Sequence, residues 1–185
     1  MPFRFDFLKT VQAVAVLLRL AGAHRRDNYM RLIKLLYIAD RRSLQETGRP
    51  ITGDRVVAMK HGPVLSNVLD LINDRHHRSG EWASFIERDG FEIALVQDPG
   101  NSELCPYEVD VLQAVWTEHC DRDPWQLVDE THGLAEWRKN DPGESSKEIP
   151  IADILEAVGR TDAEQIEEDA EAMNRIGRLL GADCE

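Results

Sequence analysis

Cysteines, aromatic residues and long apolar runs are all scarce in this chain. Its 185 residues include three cysteines, Cys105, Cys120 and Cys184. An odd number without regular spacing is no disulfide framework, and no CxxC pair supplies the usual half of a zinc site. Aromatic residues make up only 6%. The apolar stretches are broken by charge well short of the roughly 20 residues a membrane-spanning helix needs. The opening MPFRFDFLKT lacks the uninterrupted apolar segment of a secretion signal. These absences predict a cytoplasmic protein with reduced thiols and no place in a membrane. GxxxxGK(S/T), GxGxxG, GxSxG and HExxH are also missing. Their loss removes the commonest nucleotide, hydrolase and metalloprotease readings, and no cofactor or metal is expected.

Apolar residues make up 42% of the chain and charged residues 30%, the balance of an ordinary globule. The length fits one domain with a small appendage, large enough to bury its own core. The formal net charge is -12. Such a surface repels phosphate backbones and anionic lipid, so direct nucleic-acid binding is not expected. It suits a basic protein partner, although acidity also serves plain solubility.

Periodicity predicts a mainly α (α+β) protein: a single helical domain with a small two- or three-stranded antiparallel sheet. Residues 6–22 have Leu8, Val11, Val14 or Ala15, and Leu18 at helical spacing. Asp27 or Asn28 caps a second helix that opens at Tyr29 and stops at Gly48; it is the most apolar and so the expected centre of the domain. Val56-Val57 mark an extended segment over 54–60. Gly62-Pro63 then reads as a helix start, with Val64, Leu65, Val68, Leu69 and Ile72 as its buried stripe. Asp89-Gly90 marks a hairpin, which the 55–60 segment is expected to join as a third strand. Helices follow from Pro106 and from Pro124, the latter ending at Gly133. Two more run over 151–158 and 162–180. The last carries six acids from Asp162 to Glu171 and a stripe of Ile166, Ala170, Met173, Ile176 or Gly177, and Leu180. It reads either as a partner-docking arm or, preferably, as a solvated face opposite a core stripe.

Chemistry-bearing clusters are few. His76-His77 lie in a charged loop, and neighbouring histidines are expected to point apart. His119-Cys120-Asp121 mimics a nucleophile and its base, but adjacent residues do not easily form the required hydrogen bond. Lys60-His61 fall between an extended segment and a helix N-terminus, which offers N–H groups to an anion such as a partner's carboxylate. Spacing alone favours a structural turn there, with Lys60 solvated and His61 packed on the next helix. Trp82, Trp125 and Trp137 are candidate interface anchors.

Three motifs in order resemble the core of the Panacea domain, the SocA-like antitoxin family: Lys34-Leu35-Leu36-Tyr37-Ile38-Ala39, Thr47-Gly48-Arg49-Pro50 and Lys60-His61-Gly62-Pro63-Val64. Trp125-Gln126-Leu127, Thr131-His132 and Trp137 resemble its downstream W-x-L, T-H and P-W pattern. The resemblance spans about residues 5–140. His61 stands where an aromatic residue, usually Tyr, is common, and Glu136 where Pro precedes the second Trp; the first departure bears on packing or partner choice, the second on a local bend. The resemblance implies a non-enzymatic antitoxin that neutralises a cognate protein toxin by direct binding. Some relatives instead present a toxin to the ClpXP protease, which is the alternative. The expected partner surface comprises Lys60, His61, Gly62, Pro63, Thr131, His132 and Trp137. The expected division is a domain over residues 1–145 and a C-terminal helical extension over 146–185, with the tail and the loop 73–80 selecting the toxin.

Overall fold

The computed structural model describes residues 2–179; Leu180 of the expected tail stripe and Cys184 lie outside the described residues. Helix α1 (Phe7–Leu20) starts at Asp6, whose carboxylate accepts from the Lys9 N–H. It is buried without a break from Thr10 to Leu18, a wider apolar face than the expected stripe. Strand β1 (Arg26–Asn28) leads directly into α2 (Tyr29–Thr47). The Asn28 side chain caps α2 by accepting from the Met30 and Arg31 N–H groups, and Gly48 ends it in the left-handed region at φ 75°. Both boundaries are those read from the sequence, and α2 is central: it touches α1, both sheets and several later helices.

The next segment departs from expectation. Val56–Met59 form β2, but Gly62–Leu65 form a second strand, β3, rather than the start of a helix. The two pair antiparallel, with Val57 opposite Val64 and Met59 opposite Gly62. Helix α3 (Ser66–Ile72) begins only afterwards, so Val64 and Leu65 belong to the strand and not to a helical stripe. Lys60-His61 is therefore the two-residue turn of a hairpin. The turn closes with Gly62 at φ 90°, a left-handed backbone that favours glycine. Pro63 is accommodated because β3 is an edge strand, where the missing N–H removes no ladder bond.

Helix α4 (Ser79–Trp82) precedes the Asp89-Gly90 hairpin of β4 (Ile86–Asp89) and β5 (Glu92–Leu95). The 55–60 segment does not join this hairpin. Its third strand is β1, which runs along β5 with Arg26 opposite Ala94 and Asn28 opposite Glu92. A second three-stranded sheet has the order β3-β2-β6, where β6 is Lys147–Glu148. The mainly α (α+β) class thus holds, with two small antiparallel sheets.

Helices α5 (Pro106–His119) and α6 (Pro124–His132) both start with Pro at the first turn; at α5 the Glu108 carboxylate accepts from the Cys105 N–H, and at α6 Asp123 and Gln126 cap each other reciprocally. A short α7 (Ala135–Lys139) follows, then α8 (Ile151–Ala157), whose Ile151, Ile154 and Leu155 are core residues. Helix α9 (Ala163–Leu179) lays Ile166 against Gly48 and buries Ala170, but Met173, Ile176 and Leu179 are exposed. The tail stripe thus faces the core only along its first half.

Two buried aspartates brace the connection into β2. Asp40 accepts from the Ile51 and Thr52 N–H groups and from the Thr52 hydroxyl. Asp54 accepts from the Asn67 and Val68 N–H groups at the start of α3. Burial pushes Asp40 up to about 7 and Asp54 to about 6, against the pull of those donors. A carboxyl whose folded value is raised contributes stability that is complete below pH ~4 and lost as pH rises to ~7. Asp40→Asn is expected to flatten that decline by up to about 1.4 kcal/mol per pH unit, read from urea midpoints between pH 4.5 and 7.5. An unchanged slope would show that Asp40 is ionised throughout.

Candidate functional site

The seven residues expected at the partner surface come together at the β2–β3 hairpin tip. Gly62 is the hinge of the cluster. A Cβ built on it would lie 2.7 Å from Lys34 Nζ, 2.7 Å from Thr131 Oγ1 and 3.4 Å from the His132 ring. Lys34 projects from α2 and donates to the Pro63 carbonyl at 2.7 Å. It is 1% exposed, and burial lowers its pKa to about 7. His132 stacks on Trp137 with ring centres 4.2 Å apart, and Trp137 Nε1–H donates to the Met59 carbonyl at 3.3 Å. Burial also lowers the His132 pKa, and Lys34 beside it acts in the same direction.

The cluster divides by depth. Gly62, Pro63 and Thr131 are buried, and the Thr131 hydroxyl donates back to the Leu127 carbonyl at 2.8 Å. His132 and Trp137 are half-buried. Only Lys60 and His61 are well exposed, Lys60 making a surface ion pair with Glu144 at 3.1 Å. His61 and Trp125 make a T-shaped contact at 5.4 Å and 85°, so His61 packs on α6 and not on the helix that follows it in sequence. Trp125 is 59% exposed, whereas Trp82 is a core residue at 3%. The exposed part of the site is therefore Lys60, His61 and Trp125, seated on the buried Lys34–Gly62–Thr131 packing.

The anion-binding reading of this segment is overturned. The N–H groups that open α3 are not at the Lys60-His61 turn, and the Asp54 carboxylate already accepts them. Glu136 likewise does more than alter a bend. It is 1% exposed and accepts from the Tyr37 hydroxyl and the Arg41 Nε–H, each at 2.7 Å. No local signal marked Lys34 or Glu136 as buried; their partners lie 29 or more residues away.

The other clusters resolve as structure. His119 Nδ1–H donates to the Val115 carbonyl at 2.8 Å and Nε2 faces Glu130 at 3.1 Å, leaving no ring nitrogen directed at Cys120. His76 and His77 do not point apart: their ring centres are 4.2 Å from each other. Among the described residues no group of three or more His, Cys, Asp or Glu side chains is placed to hold a metal ion. Nor, among them, is any helix long and apolar enough to cross a membrane.

What the fold and site define is a mainly helical α+β domain with an exposed tryptophan on α6 beside the tip of a hairpin anchored by buried residues. A family model described as antitoxin SocA-like, Panacea domain, matches residues 32–138, more than half of the chain, and the protein belongs to that family. No curated protein and no solved structure matches the chain.

Gly62 is the position where the site is least tolerant. Gly62→Ala adds both the left-handed backbone penalty and a clash with Lys34 and Thr131, for an expected loss of about 2–5 kcal/mol. Gly90 also has positive φ but open space around it, so Gly90→Ala meets only the backbone cost of about 1–2 kcal/mol. Denaturant midpoints of the two variants, measured side by side, separate the packing contribution from the backbone one.

Proposed function

We propose that this protein is an antitoxin that neutralises a cognate protein toxin by direct binding, with the β2–β3 hairpin tip and the adjoining face of α6 as the contact surface. The observation that carries the reading is the exposed Trp125 of α6, in T-shaped contact with His61 beside a tip built from family-motif residues. A large aromatic side chain that is exposed yet fixed in place has little conformational entropy to lose on binding, which is the property of an interface anchor. Lys60, His61 and Trp125 supply contacts; Gly62, Pro63 and Thr131 set their position; His132 and Trp137 line the side of the patch. In this reading the protein breaks no bonds, acts in the cytoplasm and uses no cofactor. Its net charge of -12 steers a basic toxin into encounter.

The segment from residue 146 onward is read as a partner-selecting extension. Its core-packed α8 anchors it, and the distal turns of α9 present Met173 and Ile176 at the surface.

The test begins with the protein encoded by the adjacent gene. Calorimetry is expected to show tight binding that weakens as salt rises, and Trp125→Ala is expected to raise Kd by roughly 30-fold or more, about 2 kcal/mol. Absence of any complex would defeat the reading. Growth rescue by co-expression is then compared in normal and ClpXP-deficient cells. Rescue in both, with toxin persisting in a stable complex, supports direct neutralisation. Rescue that requires the protease, with toxin disappearing only when it is present, would assign the protein to toxin delivery instead.

A further inference from the structure

Three arginines of this chain lie over aromatic rings: Arg31 over Trp116 at 4.6 Å, Arg78 over Phe7 at 3.8 Å and Arg88 over Tyr29 at 4.7 Å. In two of these an acid completes the arrangement, Asp27 with Arg31 and Glu81 with Arg78. Trp125 and Asp129 repeat the aromatic and acidic parts. They are separated by four residues on α6, so they share one face of the helix a single turn apart. Asp129 is exposed and forms no ion pair among the described residues, and among these no cation lies over the Trp125 ring. The neighbouring acids are already engaged: Asp123, the helix cap, accepts from the Trp125 and Gln126 N–H groups, and Glu130 faces His119 and Arg122.

We propose that Trp125 and Asp129 together receive an arginine side chain of the partner protein. This rests on the reading of the hairpin tip as the partner surface and names the chemistry that surface selects. An arginine fits both halves. Its guanidinium plane stacks on the indole, the best of the aromatic faces for a cation, and its N–H fork still reaches a carboxylate. His61 meets the indole at a right angle, a contact that takes up at most one face of the ring, and Trp125 is 59% exposed. Lysine fits less well: its compact, strongly hydrated charge loses water on a ring and cannot satisfy a carboxylate in two places at once. A partner made basic overall is drawn in by the net charge of -12, and one arginine fixes its register at the tip.

The chain contains four tryptophans, so its indole N–H signals are few enough to follow individually in nitrogen-15-labelled full-length protein. Trp125→Phe assigns the signal of interest by its disappearance. The probes are acetyl-Gly-Arg-Gly-amide and its lysine and citrulline counterparts. The arginine peptide is expected to shift the Trp125 signal saturably and to leave the core Trp82 signal in place. The lysine peptide should bind several-fold more weakly, and the uncharged citrulline peptide should produce no saturable shift. Asp129→Asn should weaken the arginine response roughly two- to fivefold. No saturable shift, an equal response to citrulline, or indifference to Asp129→Asn would overturn the assignment. If Trp125→Ala weakens toxin binding while the arginine peptide gives no response, the arginine assignment falls and the hairpin-tip surface stands. If toxin binding ignores Trp125→Ala, both fall.

Discussion

The hydrogen bond from Lys34 to the Pro63 carbonyl is the constraint on which the hairpin tip depends. β3 is an edge strand, and an edge strand has backbone groups with no neighbouring strand to pair them. Lys34 supplies the missing donor from the central helix, and so ties the sheet to α2 at one atom. Burying an amine is unfavourable, and the lowering of its pKa to about 7 records that cost. The bond is possible only because residue 62 has no side chain. Any Cβ there would occupy the space in which Lys34 Nζ and Thr131 Oγ1 meet the backbone. One glycine, one lysine and one proline carbonyl therefore act as a unit, and the turn residues Lys60 and His61 inherit their rigidity from it.

Helix ends were legible because caps are local. Asn28, Gly48, Pro106 and the Asp123-Pro124 pair announce their roles within a few residues, and each does what its chemistry suggests. The Asp89-Gly90 turn was legible for the same reason. Gly62-Pro63 was not, because proline is suited both to the first turn of a helix and to an edge strand. What decides between them is Lys34, far back in the sequence, together with Asp54, which delays the helix to Ser66 by accepting its first N–H groups. β1 and β6, three and two residues long, are too short to show alternation. They become strands only because β5 and β2 are already there to pair with.

Buried charge was the least legible feature of all. With 34 acidic residues in the chain, composition alone cannot distinguish the few that fold inward. Asp40, Asp54 and Glu136 are each set apart by donors that converge on them from elsewhere. For Glu136 these are Tyr37 and Arg41, neighbours on successive turns of α2. The same α2 face thus holds α7 and, with it, Trp137. A pattern that usually has proline before this tryptophan fixes the turn through the backbone; here a buried carboxylate pinned to α2 does it through a side chain.

The depth at which each motif residue lies separates the part of the family pattern that makes the fold from the part open to contact. Lys34, Gly62, Pro63 and Thr131 are buried and interlocked, so changing any of them disturbs the scaffold before it reaches a partner. His61, at a position usually aromatic, is exposed and touches Trp125, so it can vary without loosening the hairpin. Charge and shape then act at different ranges. The diffuse negative charge is screened beyond about 8–10 Å at physiological salt, so in the proposed contact its part is in the approach and it is blunt about identity. The ring of Trp125 acts only in contact, where geometry is set by packing. A scaffold arranged this way can change its partner by exchanging a few exposed side chains, while the lysine-to-strand tie beneath them stays as it is.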